Sequence, residues 1–297
     1  MTGDGGSQLR RLLAEEAPVV APGAFNALFA RLIVEAGFPA VYLSGAGVAN
    51  SLLGRPDLGI ATMDEMVMVA ERVCEVLDVP VIADGDTGYG GVHNVARTVS
   101  RYERVGVAAI QLEDQVFPKK CGHFEGKEVV SKREMLERIG AALDSRASQD
   151  SILVIARTDA RGPIDLDEAI ERARAYGEAG ADVLFVEAPR SRDELERIGS
   201  ELSDWPLMAN MVEFGKTPLL PADELHTLGF SLIIYPGAVM RTITSSARQV
   251  LAELRSQGTT AGWLAHMASF DDVNQVVGLA EFNQWELDIA SGAADRS

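Results

Sequence analysis

The chain has 297 residues, with 27 Lys and Arg against 44 Asp and Glu, for a formal net charge of −17. That balance argues against nucleic acid or an anionic membrane as partner, since both call for a basic surface. The two cysteines, Cys74 and Cys121, are too few for a disulfide framework and suit a reducing compartment.

No apolar run is long enough to span a bilayer. Met1 to Gln8 is polar and glycine-rich, without the apolar core of a signal peptide. The expected location is therefore cytoplasmic. If the substrate is an anion, cations must be concentrated locally against the global field, which draws attention to Lys119, Lys120, His123, Arg157 and Arg241.

Short apolar runs recur along the chain, with helical patterns between them. The spacing predicts strands at Val19–Phe25, Ala40–Ser44, Val79–Ala83, Val107–Leu112, Ile152–Ala156, Val183–Val186, Leu207–Asn210 and Leu232–Tyr235. Helices are predicted between them at Leu28–Ala36, Met63–Leu77, Val92–Val105, Lys132–Arg146, Leu166–Ala179, Arg192–Leu202 and Pro221–Leu228. Several end at glycine, as helix C-caps commonly do. The strands are continuous apolar runs, which suits a parallel sheet covered on both faces. Eight such units predict an α/β fold of the (β/α)8 TIM-barrel type, with a doubly wound sheet as the alternative. No linker or shift in composition divides the chain. One barrel domain over 1–297 is expected, with a helical extension from about residue 246 that breaks at Arg255–Gly258.

Polar residues stand at the C-terminal end of every predicted strand. In order, these are Asn26, Ser44-Gly45-Ala46-Gly47, Asp84-Gly85-Asp86, Glu113-Asp114, Arg157-Thr158-Asp159, Glu187, Asn210, and Pro236-Gly237 with Arg241. A single polar residue at a strand end is ordinarily a cap or a turn former. Eight in phase, at the barrel face where active sites are built, point to a site.

Asp84 and Asp86 flank one glycine. Close carboxylates repel unless a cation lies between them or one is protonated. Oxygen ligands favour Mg2+ or Mn2+, with Glu113 and Asp57 placed to hold the ion's waters. Cys121 stands in a loop with Lys119, Lys120 and His123, and nearby positive charge favours the thiolate. It can serve as acid, base or nucleophile. Cys74, among Val73, Val76 and Leu77, reads as an inert core residue. Ser44 and nearby backbone N–H groups can bind a carboxylate, and Arg157 and Arg241 offer planar forks for one. His93, His226 and His266 carry no ligand spacing. Together these groups suit a hydroxy or oxo carboxylate held on a divalent cation while a C–C bond breaks.

At these residues the chain resembles the isocitrate lyase/phosphoenolpyruvate mutase superfamily. Lys119-Lys120-Cys121-Gly122-His123 matches the signature of its short C–C lyase branch. Asp84-Gly85-Asp86-Thr87-Gly88-Tyr89-Gly90 is similar to its metal segment. Tyr42-Leu43-Ser44-Gly45, Leu112-Glu113-Asp114-Gln115, Ala156-Arg157-Thr158-Asp159-Ala160 and Asn210-Met211-Val212-Glu213-Phe214-Gly215 extend the match from Val19 to at least Tyr235.

The resemblance implies a barrel whose last helix is swapped between subunits, usually in a homotetramer. It implies Mg2+ at Asp84 and Asp86, with Asp57 and Glu113 acting through water. Ser44, Gly45 and Ala46 would hold the keto-acid carboxylate. Gly122, Arg157, Glu187, Asn210 and Arg241 would line the substrate. Cys121, with Lys119 and His123 beside it, would be the acid/base on a gate loop of about residues 115–131. Tyr42 or a water on the metal would take the hydroxyl proton.

The substrates implied are small anionic carboxylates, namely 2-methylisocitrate, 2,3-dimethylmalate or a related 2-alkylmalate. Oxaloacetate hydrolysis and carboxyvinyl-carboxyphosphonate phosphorylmutase chemistry are the alternatives. Methylisocitrate lyases carry an arginine near the position of Phe270. Ala268-Ser269-Phe270-Asp271 offers none, which favours a smaller dicarboxylate.

Overall fold

A computed structural model describes residues 5–120, 122 and 126–291. It divides into two compact units, 1–240 and 241–297.

The first unit is a closed barrel of eight parallel strands in sequential order, with β1 paired to β8. The strands are β1 (Val19–Ala24), β2 (Val41–Leu43), β3 (Val81–Asp84), β4 (Ala109–Glu113), β5 (Leu153–Thr158), β6 (Val183–Val186), β7 (Leu207–Asn210) and β8 (Phe230–Tyr235). The helices of this unit are α1 (Gly5–Leu13), α2 (Ala27–Glu35), α3 (Gly45–Val48), α4 (Met63–Cys74), α5 (Val92–Arg104), α6 (Lys132–Asp144), α7 (Leu166–Glu178), α8 (Arg192–Glu201) and α9 (Ala222–Thr227). A π-turn, Ala49–Leu53, comes directly after α3. The TIM-barrel expectation holds, and the doubly wound alternative is excluded by the β1–β8 pairing.

Local chemistry explains the boundaries. Asn26, Thr62, Ser131, Asp165 and Ser191 each accept a backbone N–H at the start of a helix, satisfying donors that a helix leaves open. Gly106 and Gly180 lie just past α5 and α7 with φ of 91° and 104°, a left-handed ending that costs glycine nothing. Two strands extend two residues beyond the sequence pattern. β5 runs on to Thr158, which puts Arg157 inside the sheet. β8 begins at Phe230 instead of Leu232, and its register against β7 shifts by one residue between Leu207 and Met208. That irregularity breaks the apolar pattern from which the strand start is read. α3 and the π-turn carry no strong apolar periodicity, so the sequence pattern does not reveal them; α1 is amphipathic through Leu9, Leu12 and Leu13 but begins in the polar, glycine-rich N-terminal stretch.

The barrel interior is filled by alternate residues of each strand: Val19 and Ala21, Ala40 and Tyr42, Ile82, Ala109, Leu153 and Ile155, Val183 and Phe185, Met208, Leu232 and Ile234. Leu9 of α1 joins this cluster and is wholly buried. It closes the mouth at the strand N-termini. A strand's side chains repeat every two residues, so each inward row continues upward. Tyr42 leads to Ser44, and Ile82 to Asp84 and Asp86. Ala109 leads to Gln111 and Glu113, Ile155 to Arg157 and Asp159, Phe185 to Glu187, and Met208 to Asn210. The rows that make the core thus become the polar ring at the opposite mouth.

The second unit holds most of α10 (Ala238–Gln257), a 3-10 turn (Ala261–His266), α11 (Phe270–Val276) and α12 (Leu279–Ala290). α10 stops at the expected break, where Gly258 has φ 70°. None of these helices has a buried residue, and Phe270, Phe282, Trp285 and Leu287 are largely exposed. Among the described residues, no helix is long and apolar enough to cross a membrane.

Barrels carry stability at the N-terminal mouth and chemistry at the other. Leu9→Ala should therefore lower the thermal midpoint by at least about 5 °C, measured by calorimetry, without altering ligand binding at the polar mouth. An unchanged midpoint would contradict the plug role.

Candidate active site

The ring is crowded with acidic and basic side chains that are closed off from solvent. Asp84, Asp86, Glu113, Asp159, Glu187, Arg157 and Lys119 are all buried. Isolated charges do not survive such burial, so each must be paired.

Arg157 is the hub. Its Nε lies 2.8 Å from Asp159 Oδ2 and 3.4 Å from Glu113 Oε2, and its Nη1 lies 3.2 Å from Glu187 Oε2. Nη2 donates to Asp159 Oδ1 at 3.1 Å. The guanidinium carbon stands 5.2 Å from the centre of the Phe185 ring, one step down the inward row of β6. The sequence suggested a fork open to a ligand carboxylate. Instead the fork is engaged on several sides by the protein's own acids.

Lys119 plays the matching part across the ring. Its Nζ sits 2.6 Å from Asp57 Oδ1 and 2.8 Å from Asp86 Oδ1. Burial lowers its affinity for a proton, but Asp86, Asp84, Glu113 and Asp57 more than offset this and raise its pKa well above the ordinary lysine value. Burial lifts the Asp86 carboxyl to about 7, even though Lys119 pulls it down. Burial likewise raises Glu113, against the pull of Arg157. Asp159 goes the other way. Burial pushes it up, but Arg157 and Lys127 hold it well below the usual carboxylate range.

Asp84 and Asp86 come together as expected. The Asp86 N–H donates to Asp84 Oδ1 at 3.0 Å, and Asp86 takes a left-handed φ of 47° to do so, a conformation aspartate tolerates better than most residues. The backbone at Gly45 approaches them so closely that a Cβ there would lie 2.6 Å from Asp84 Oδ2. Ser44 Oγ accepts the Gly47 N–H and caps α3, with Gly45 and Ala46 opening that short helix.

Among the described residues, no three His, Cys, Asp or Glu side chains converge as a ready-made metal cage. The donor set nevertheless fits a hydrated hard cation, which needs only one or two protein carboxylates. Glu113 Oε1 is buried with no hydrogen-bond partner among the described residues. The barrel's ring also holds more acids (Asp57, Asp84, Asp86, Glu113, Asp159, Glu187) than described cations (Lys119, Lys127, Arg157). Two carboxylates about 4 Å apart repel by about 4 kcal/mol at an effective dielectric of about 20, so the excess is relieved by a further positive charge or by a proton on the raised Asp86 or Glu113 carboxyl.

Tyr42 OH donates to Gln111 Oε1 at 3.0 Å, and Gln111 Nε2 reaches Asp84 Oδ1 at 3.5 Å. Burial, with Asp84 adding to it, raises the Tyr42 pKa well above that of a free phenol. Tyr42 thus sits on the inward row below Ser44, hydrogen-bonded through Gln111 to Asp84. Asn210 Nδ2 donates to Glu187 Oε2 at 3.1 Å, and Asn210 Oδ1 has no partner among the described residues. Gly122 is buried against the ring. A Cβ there would fall 2.5 Å from Arg157 Nη2 and 2.7 Å from Glu187 Cδ. Cys121 and His123 lie outside the described residues. Arg241 lies in the second unit. Cys74 fits the inert role, since burial pushes its thiol up to about 12.

Gln111 and Lys127 join the network without having been singled out in the sequence, and Asp114 and Asp159, already in the ring, take partners that the sequence does not show. Asp114 is wholly buried. It accepts from Thr158 Oγ1, Arg172, Tyr176 OH and the Asp159 N–H. A signal for Gln111 does exist: it stands two residues before Glu113, on the same inward row.

A family model described as phosphoenolpyruvate phosphomutase matches residues 9–255. The 2,3-dimethylmalate lyase of Eubacterium barkeri is 47% identical over 286 residues, covering 96% of this chain and 98% of that one. The 2-methylisocitrate lyase of Aeropyrum pernix is 40% identical over 290 residues, covering 98% and 92%. Among solved structures, oxaloacetate acetylhydrolase in complex with 3,3-difluorooxalacetate superposes with a TM-score of 0.91 at 38% identity, covering 97% of each chain. Phosphonopyruvate hydrolase, solved in complex with oxalate and Mg2+, superposes with a TM-score of 0.86 at 30% identity, covering 97% and 99%. With a matched family model, close relatives and a barrel that superposes over nearly its full length, the chain belongs to the phosphoenolpyruvate mutase/isocitrate lyase superfamily.

Proposed function

We propose that the chain is a Mg2+-dependent carbon–carbon lyase. Its substrate would be a 2-alkylmalate-type acid, of the 2-methylisocitrate or 2,3-dimethylmalate class. Its products would be a pyruvate-type keto acid and a carboxylate such as succinate or propionate. The observation that carries this reading is the seating of the cysteine loop on the acid ring. Lys119, two residues before Cys121, is buried between Asp57 and Asp86, and Gly122, the residue after it, presses on Arg157 and Glu187. The thiol's two flanks thus meet both halves of the ring. Relatives named dimethylmalate and methylisocitrate lyases support the reaction class. The lack of arginine over Ala268–Asp271 favours the dicarboxylate.

Asp84 and Asp86 would hold Mg2+, with Asp57 and Glu113 acting through water. When bound, the ion supplies a Lewis acid for the substrate's 2-hydroxyl and adjacent carboxylate and offsets the ring's excess negative charge. The N-terminal backbone of α3, from Ser44 through Ala46, receives the carboxylate of the keto-acid half, and Arg157, Glu187 and Asn210 line the remainder. The 2-hydroxyl would lose its proton to Tyr42, or to a water beside the bound ion. The C2–C3 bond then breaks. C2 becomes the ketone carbon, and the bonding pair remains on C3, delocalised into the neighbouring carboxylate. The Cys121 thiol delivers a proton to C3. The loop of about residues 115–131 excludes water from the carbanion.

Cys121→Ala should lower turnover by about 10²-fold or more, while Mg2+ affinity, measured by titration calorimetry, stays the same. Undiminished turnover would remove the acid role. The exposed Phe270, Phe282, Trp285 and Leu287 of the second unit support a homotetramer with the last helix exchanged between subunits, since so much apolar surface rarely remains uncovered. Analytical ultracentrifugation should give about four times the 31.8 kDa chain mass. A monomer at micromolar concentration would contradict that assembly.

A further inference from the structure

We propose that Lys127 is a positioning residue that fastens the peptide on the C-terminal side of Cys121 to the end of β5. The lysine stands on the returning limb of the loop and is itself buried. Its Nζ donates to the backbone carbonyl of Gly122, and lies 2.6 Å from Asp159 Oδ1. Its stem packs along Gly162, where a Cβ would meet Cε at 3.2 Å. Burying an ammonium group is costly unless it is fully paired, and this one is placed where a purely structural lysine has no need to be.

Two simpler readings explain less. One is that Lys127 neutralises Asp159. Arg157 already does so through two bonds, from Nε and Nη2. What Lys127 adds is the link to Gly122. The other is that the loop needs no fastening because its base is already closed. The base is indeed closed: Val116 N–H bonds Glu128 O, Val130 N–H bonds Asp114 O, and Gln115 bridges Val129. Arg172 reaches from α7 to Val130 O. On the outgoing limb the Gln115 side chain bonds the backbone of Lys120 in both directions. All of these ties stop short of Gly122. Between Lys120 and Gly126, the only described tie of the loop backbone to a strand end runs through Lys127.

The tie also determines what Gly122 touches. Only a residue without a Cβ can lie against Arg157 Nη2 and Glu187 at that depth. Asp159, on the inward row of Arg157, therefore holds both the ring's central cation and, through Lys127, the backbone beside the thiol. Position along β5 is transmitted to the loop through two charged bonds. A misplacement of about 1 Å at a reacting group can cost a hundredfold in rate, so the fastening belongs to the catalytic step more than to substrate capture.

The inference rests on the lyase reading for its purpose, but its test does not depend on that reading. Hydrogen exchange by mass spectrometry on the full-length protein would compare wild type with Lys127→Met, and with Lys127→Gln if the first variant fails to fold. Exchange in peptides spanning 115–131 should quicken about tenfold or more, while peptides from β5 and β6 keep their rates. On the acid that wild type cleaves, kcat should fall about tenfold or more, with KM changed less than about threefold. Unchanged loop exchange, or faster exchange with unchanged kcat, would overturn the proposal. If wild type cleaved no acid of the class yet the variant still loosened the loop, the lyase reading would fall and the fastening would stand.

Discussion

The site depends on one constraint: buried acids of a parallel barrel converge on one mouth, and something positive must hold them there. Arg157 answers it for Asp159, Glu113 and Glu187, and Lys119 answers it for Asp57 and Asp86. Removing either partner of such a pair leaves an uncompensated buried charge, at a cost of about 3–5 kcal/mol. The cations are therefore committed to the scaffold, and an acidic protein can present an ordered, partly unsatisfied carboxylate ring without unfolding it. The same pairing explains why a superfamily member with a net charge of −17 can be proposed to bind an anion. The attraction would come from the bound divalent ion and from α3's N-terminal backbone, with little contribution from a general basic field.

The two lysines that flank the cysteine loop divide its attachment. Lys119 joins the outgoing limb to the acids of β3 and the segment before α4. Lys127 joins the returning limb to β5. Both reach strand ends, so the loop's geometry is inherited from the barrel. A loop tied only at its base would open and close without regard to the ring. One tied through charged bonds to the ring's own acids shares its geometry with theirs.

The barrel was legible in the sequence because eight apolar runs, separated by helices that end in glycine, leave few other folds. The ring was legible because polar residues succeed the runs in phase. The features that escaped have physical reasons. The start of β8 hid behind a register shift at Leu207/Met208. α1 is short, yet its Leu9 fills the barrel's far mouth. Arg157 read as a ligand fork because spacing shows which residues share a row but does not show that one row's charge is consumed by the next. Lys127 looked like an ordinary loop residue, and only the folded chain brings it to Asp159.

The central claim is cleavage of a 2-alkylmalate with release of a pyruvate-type keto acid. It is tested most directly by monitoring pyruvate through a coupled lactate dehydrogenase assay, with Mg2+, on 2,3-dimethylmalate and 2-methylisocitrate. The account predicts rapid pyruvate release from one of them, the dimethylmalate first, abolished by chelation and restored by added Mg2+. No pyruvate from either acid, with a shifted phosphorus NMR signal from a carboxyphosphonate substrate, would contradict it and assign the ring to phosphorus transfer.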